Sequence, residues 1–311
     1  MDQTAKSSIN RNPVMEPGPL SDLNRTGTLR DFVTVTKIGI TVANMMTVFA
    51  GLWLASGGQA TGTEILFTLL GTALVIMAGT CLNNYIDRDL DKMMQRTASR
   101  ALPEGRISAK AVLYMGLGFA TVGTVLLATM INPLTAILGL IGLFDYVVIY
   151  TMWLKRTSTT STIGGAISGA VPLVMGWTAI TGQMDLAAWV LFTIMFLWQM
   201  PHTLALAIRR SEDYRAAGIP VHPVVKGFEA TKRHNIRYVA GLIPASFLLY
   251  KVAPVTEVYL YTAIVLGAIW FALAVAGFFA KDTIKWSRIS FVFSLIYLTT
   301  INVVWIIEAS I

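Results

Sequence analysis

The sequence predicts an all-α protein that crosses a membrane nine times, with its N-terminus in the cytosol and its C-terminus outside. Three observations predict it. The 311 residues are 55% hydrophobic and 13% charged, with a mean hydropathy of +0.63, whereas a soluble domain carries about 25% charged residues. Apolar runs recur that are long enough for a ~30 Å hydrocarbon core, which takes roughly 20 helical residues. Finally, strongly basic loops alternate with loops that carry almost no Lys or Arg.

Residues 1–30 are polar and rich in Pro, Ser, Asn and Arg. They lack the apolar stretch of a cleaved signal and read as a disordered cytosolic tail. A single transmembrane domain is expected from 31 to the end. Its first two spans fall at 33–55 and 64–85, joined by ASGGQATG, and the loop 86–108 then brings Arg88, Lys92, Arg96, Arg100 and Arg106. Spans three and four, 109–130 and 132–153, are joined by INPLT and followed by Lys155 and Arg156. Spans five and six, 162–181 and 186–208, flank TGQMD, and the loop 209–235 carries Arg209, Arg210, Arg215, Lys226, Lys232 and Arg233. The last three fall at 236–251, 256–280 and 288–308, with Lys281, Lys285 and Arg288 before the ninth and Lys251 the one cation on the opposite side.

The positive-inside rule places every basic loop in the cytosol. The net charge of +7 therefore reports topology, and its distribution argues for a lipid bilayer as partner and against nucleic acid. Cys81 is the sole cysteine, so no internal disulfide forms, and inside span two it reads as inert. The glycines of GGAISGA (164–170) and GLGFA (116–120) read as close helix contacts.

Chemistry concentrates in NNYIDRDLDKMMQRTASRALPEGRIS, residues 83–108. Carboxylates at the end of a membrane helix are expensive and mark function. Asn83, Asp87 and Asp91 are spaced i, i+4, i+8, so a continuing helix would align them on one face, ~5–6 Å apart, with Asp89 to another side. Mg²⁺ takes one or two carboxylates and completes its shell with phosphate oxygens and water. Arg96 and Arg100 add bidentate donors for the same phosphates.

This NxxxDxxxD followed by RTxxR resembles the first motif of the UbiA-type intramembrane prenyltransferases, a nine-helix family that uses Mg²⁺ and an isoprenyl diphosphate. EDYRAAGIPVHPVVKG (212–227), WQMPHTLALAIRR (198–210) and YTMWLKRTS (150–158) are similar to the branch of that family that farnesylates haem. The resemblance implies a bacterial cell-membrane enzyme that moves a farnesyl group from farnesyl diphosphate to a vinyl group of haem B. Water supplies the product's alcohol oxygen, and haem A synthase is the implied recipient. It further implies that Asn83, Asp87 and Asp91 hold Mg²⁺, with Asp213 a remnant of the second acidic motif. Arg96, Arg100, Lys155 and Arg156 would grip the diphosphate. Ser161 and His222 depart from the pattern, standing where an Asn and an apolar residue are more usual.

Given haem as substrate, His202 in span six is the candidate iron ligand, with Trp198 four residues earlier on the same face and Pro201 expected to kink the helix. Tyr150 is expected at the same end as Lys155, among the diphosphate-binding residues. Asp145 lies ten residues before Lys155, hence ~15 Å deep, either hydrogen-bonded or lining a cavity. Two alternatives stay open on the residues alone: a prenyltransferase for an aromatic quinone precursor, which the degenerate second motif disfavours, and a membrane transporter.

Overall fold

A chain in hydrocarbon must close its backbone hydrogen bonds within itself, and every regular element described here is helical. The structure is a computed structural model that describes residues 27–311; of the tail expected over residues 1–30, residues 1–26 lie outside the described residues, and its last two, Leu29 and Arg30, are helical instead, because Thr28 and Asp31 cap a helix there.

Helix α1 (Leu29–Val35) opens on a capping box between Thr28 and Asp31. It stops at Thr36, and α2 (Ile38–Ala55) begins after Lys37, whose backbone is left-handed at φ 49° and ψ 51°. The expected first span is thus two helices. Among the described residues Lys37 alone, glycines aside, adopts positive φ, a conformation that costs about 1–2 kcal/mol.

Helix α3 (Gly62–Ile86) starts on a second capping box, Thr61 with Glu64, and leads through Asp87 into α4 (Arg88–Met93). After a run of turns, α5 (Ala109–Met130) returns. Helix α6 (Pro133–Phe144) passes directly into a π-helix, Asp145–Leu154, and then into the short α7 (Lys155–Thr157). Helices α8 (Ser161–Thr181), α9 (Leu186–Arg209) and α10 (Ser211–Ala216) follow. The chain ends with α11 (His222–Val252), α12 (Glu257–Ala276) with a 3₁₀ turn at Gly277–Phe279, and α13 (Thr283–Ala309).

Eight helical segments among the described residues are long and apolar enough to cross a membrane, so the chain is a multi-pass membrane protein. The segment expected at 236–251 is helical too, but within α11, which begins at His222. Pro223 suits a first turn, where its missing N–H is no loss and its φ is already helical, and the non-helical Gly227 separates that turn from the long helix that follows. Helix α13 likewise begins at Thr283 rather than 288, because Asp282 caps it by accepting from the Lys285 amide at 2.9 Å.

Small residues bring the helices together. A Cβ on Gly51 would stand 2.4 Å from the Leu173 carbonyl oxygen, and one on Gly176 2.1 Å from that of Val48, so α2 and α8 touch backbone to backbone. Gly116, Gly164 and Gly169 also sit against neighbouring side chains, whereas Gly118 faces open space. The main core joins α2, α8, α9, α11, α12 and α13 around Leu54, Leu173, Leu191, Trp198 and Trp305. Large apolar side chains such as Val42, Tyr114, Phe144 and Val258 remain exposed, as the lipid-facing surface of a bundle requires.

Candidate active site

The stripe read from the sequence survives a break in its helix. At Asp87 the backbone leaves helical geometry (φ −85°, ψ 4°). The ladder nevertheless continues across it: the Asp87 amide donates to the Asn83 carbonyl and the Asp91 amide to that of Asp87, each at 2.8 Å. Asn83, Asp87 and Asp91 are therefore in register, and all are buried. The Asn83 amide group donates to Asp87 Oδ2 at 2.8 Å and to Thr151 Oγ1 at 3.1 Å.

Each carboxylate meets a cation brought from elsewhere. Thr97 donates its hydroxyl to the Asp91 carbonyl at 2.9 Å, folding the chain back so that Arg100 reaches the Asp91 carboxylate at 2.8 Å. The end of the π-helix delivers Lys155, which pairs with Asp87. Arg156 binds both oxygens of Asp89 at 2.8 Å and donates to the Ile86 carbonyl at 2.9 Å. Hydrogen bonding to Arg156 holds the Asp89 carboxyl down at about 2. Asp213, on α10, reaches the group through Arg96 at 3.9 Å.

Lys37 is a site residue that the motif did not reveal. Its ammonium donates to Asn83 Oδ1 at 2.9 Å. The Asn84 amide group binds the Val35 carbonyl and the Thr80 hydroxyl binds that of Thr36, both at 2.9 Å. Together these bonds pin the α1–α2 junction on α3. Lys37, Asn84 and Arg100 line a cavity of about 190 Å³. A lone lysine inside an apolar run was the available signal.

A divalent cation fits this donor set. Asp87 Oδ1 is buried with no hydrogen-bond partner, and an Arg156 terminal nitrogen stands 3.7 Å from it. Five cations and four carboxylates leave the cluster close to neutral, so an arriving diphosphate calls for further positive charge. Among the described residues no three His, Cys, Asp or Glu side chains gather into an all-protein metal cage. The buried carboxylates of Asp87 and Asp91 suit an ion such as Mg²⁺, which takes one or two carboxylates and completes its shell with phosphate oxygens and water.

His202 lies apart from this cluster. Its ring is sandwiched by Trp198 at 4.7 Å and Phe291 at 4.6 Å between centres, and α9 runs on through Pro201 without interruption. The one hydroxyl proton of Ser294 goes to the Phe291 carbonyl at 2.5 Å. The 2.7 Å contact between Ser294 Oγ and His202 Nδ1 is therefore donated by the imidazole, leaving Nε2 of the neutral ring with a free lone pair. Trp198 is fixed by its own bond to the Ser294 carbonyl at 2.7 Å. Tyr150 stacks on Tyr146 at 5.6 Å, and the Asp145 carboxylate accepts from the Ser168 amide at 3.1 Å.

Residues 44–296 match the model of the UbiA prenyltransferase family. A protoheme IX farnesyltransferase of Alkalihalophilus pseudofirmus is 50% identical over 97% of this chain and 98% of its own length. Protoheme IX farnesyltransferase 2 of Bacillus subtilis is 43% identical over 89% and 91%. Among solved structures, a digeranylgeranylglyceryl phosphate synthase superposes with a TM-score of 0.76 at 15% identity, covering 91% of this chain and 98% of that one. A UbiA homologue from Archaeoglobus fulgidus bound to GPP and Mg²⁺ superposes with a TM-score of 0.63 at 14% identity, covering 89% and 99%.

Proposed function

The chain belongs to the UbiA prenyltransferase family, and from that premise we propose that it farnesylates haem B to give haem O. The observation that carries this reading is the 50% identity to a protoheme IX farnesyltransferase along nearly the whole of both chains. Farnesyl diphosphate, haem B and water enter; diphosphate, a proton and a haem bearing a hydroxyethylfarnesyl group leave.

The hard step breaks the carbon–oxygen bond of an allylic diphosphate, and negative charge builds on the leaving group. Lys37, Arg96, Arg100, Lys155 and Arg156 are placed to donate to its oxygens, and preorganised donors in a water-poor site stabilise such charge strongly. Asp87 and Asp91, with Asn83, would hold Mg²⁺, and Asp213 joins them through Arg96. When bound, the ion neutralises charge on the diphosphate. The left-handed turn at Lys37 supports this assignment, since strained backbone persists where a side chain has to be aimed.

The farnesyl cation is attacked by the electron-rich vinyl group of haem, and water captures the new cation beside the porphyrin. Tyr150 joins the cations at the diphosphate, and the buried Trp198 ring backs His202, whose Nε2 is the free nitrogen for the haem iron. The chain crosses the membrane of a bacterial cell nine times, the apolar C-terminal part of α11 making the ninth crossing, with the basic loops and the diphosphate site in the cytosol. The product's chemistry suits hand-on to haem A synthase.

Incubating the purified protein with haem B, farnesyl diphosphate and Mg²⁺, followed by mass analysis, tests the reading. A haem heavier by one farnesyl group and one water-derived hydroxyl is expected. Unchanged haem, or prenylation of a hydroxybenzoate acceptor instead, would overturn it.

A further inference from the structure

Two histidines take no part in the prenyl-transfer reading. His222 and His234 belong to one helix, and in a straight α-helix twelve residues span ~18 Å. Their ring centres nevertheless stand 4.5 Å apart. The cause is Gly227, whose φ of 80° and ψ of 171° break α11 and fold its first turn back beside the rest.

The hydrogen bonds around the pair specify a tautomer. Thr231 has one hydroxyl proton and donates it to the Gly227 carbonyl at 2.8 Å. The 2.9 Å contact between Thr231 Oγ1 and His222 Nδ1 is then an N–H donated by the ring. With Nδ1 donating to Thr231, Nε2 is the lone-pair nitrogen of that tautomer. A metal-binding histidine is oriented in this way, its other nitrogen fixed by a second partner.

We propose that His222 and His234 form a two-imidazole site for a borderline divalent transition ion such as Zn²⁺, its shell completed by water. With metal–nitrogen bonds of ~2.1 Å, two imidazoles at a tetrahedral angle place their ring centres roughly 5 Å apart, whereas a haem iron clamped from both faces needs roughly 6.5 Å. The observed 4.5 Å suits the first and not the second. Both side chains are only partly buried, so water can complete the shell. Mg²⁺ prefers oxygen donors and is no competitor here. An ion at this site ties the two sides of the Gly227 break together. The adjoining Val221 and Val224 pack with Ile219 against Leu90 of α4 and Met94 just beyond its end, and α4 carries Asp91, so the ion would also stiffen the support of the carboxylate stripe.

The test uses full-length protein without a histidine tag, in detergent and Mg²⁺, titrated with Zn²⁺ by calorimetry and with Cu²⁺ by electron paramagnetic resonance. One equivalent of Zn²⁺ is expected to bind. Affinity should fall about ten-fold or more in His222→Ala and in His234→Ala, and measurably in Thr231→Val. It should be unchanged in His202→Ala and Asp87→Asn. The copper spectrum should report two nitrogens in the wild type and one in each single variant. No Zn²⁺ binding, wild-type affinity in both alanine variants, or binding that disappears with Asp87→Asn would overturn the proposal. Should the alanine variants aggregate, Thr231→Val decides, because it keeps both rings and loses only the bond that orients one of them; wild-type affinity there sinks the site.

Discussion

Arg156 grips Asp89 with both terminal nitrogens at 2.8 Å, one on each carboxylate oxygen, while standing 3.7 Å from Asp87. Among the described residues Lys155 has no such outer partner and turns its ammonium onto Asp87. The two adjacent cations therefore begin from different states. Lys155→Met and Arg156→Met should each raise the KM for farnesyl diphosphate about ten-fold or more, with haem absorbance unchanged. Asp89→Asn should shift it only a few-fold, since the Asp89 side chain is 58% exposed and such pairs contribute little. An Asp89→Asn loss as large as that of Arg156→Met would make Arg156 a structural partner and not a substrate ligand.

Asp87→Ala and Asp91→Ala should each lower turnover by several powers of ten while the protein still inserts in the membrane, the result expected when leaving-group charge goes unstabilised. Removing Asp87 also strands the Lys155 ammonium, at a cost of about 3–5 kcal/mol for a buried pair. Asp87→Asn is therefore the cleaner variant, and a melting curve beside the rate assay separates the two effects. Activity within a few-fold of wild type in either alanine variant rejects the metal assignment.

Lys37→Met removes a cation from the site without touching the acidic motif. Its kcat/KM for farnesyl diphosphate should fall by about ten-fold or more, the size of a lost charge-assisted contact worth ~1.5–3 kcal/mol. Lys37→Arg should recover only part of that, because the wider guanidinium must fit the space beside Asn83. Equal kinetics in Lys37→Met and wild type would reduce Lys37 to a turn residue.

Ferric haem bound to the protein should show a nitrogen-ligated spectrum that moves toward a weaker-field, water-ligated form in His202→Ala. Ser294→Ala should give a mixture, since the hydroxyl that sets the tautomer is gone while the ring remains. The farnesyl diphosphate KM should hold in both. Superimposable spectra of wild type and His202→Ala would make His202 a packing residue.

Gly176→Ala forces a methyl group against the Val48 carbonyl, 2.1 Å from its ideal position, and should destabilise the bundle by about 1–3 kcal/mol. Gly118→Ala meets nothing within 4 Å and should be neutral or stabilising by up to ~1 kcal/mol, the helix preference of Ala over Gly. Thermal melting in one detergent compares them; equal midpoints would refute the close approach of α2 and α8.

Spans defined by composition were legible: the apolar run 109–130 coincides with α5. The carboxylate stripe was legible for a similar reason, because a period of four survives even where the helix breaks at Asp87. Contacts between distant segments were not. Lys37 finds Asn83 across 46 residues and His202 finds Ser294 across 92, and no local pattern encodes either pairing. The early start of α11 was hidden because Lys226, Lys232 and Arg233 make its first half read as a loop, although Pro223 was a start signal in plain view.

The wide turns of the π-helix at Asp145–Leu154 set a phase. An α-helix advances ~100° per residue, so a stretch with i→i+5 bonding rotates everything beyond it relative to everything before it. Upstream of that stretch, α6 keeps its own lipid and helix contacts; downstream, Lys155 is dialled onto Asp87. A scale that weighs only how greasy a segment is cannot register such an angle. Two chains with the same span length and apolarity can thus present entirely different edges to the diphosphate, and much of this fold's chemistry is written in rotation and not in composition.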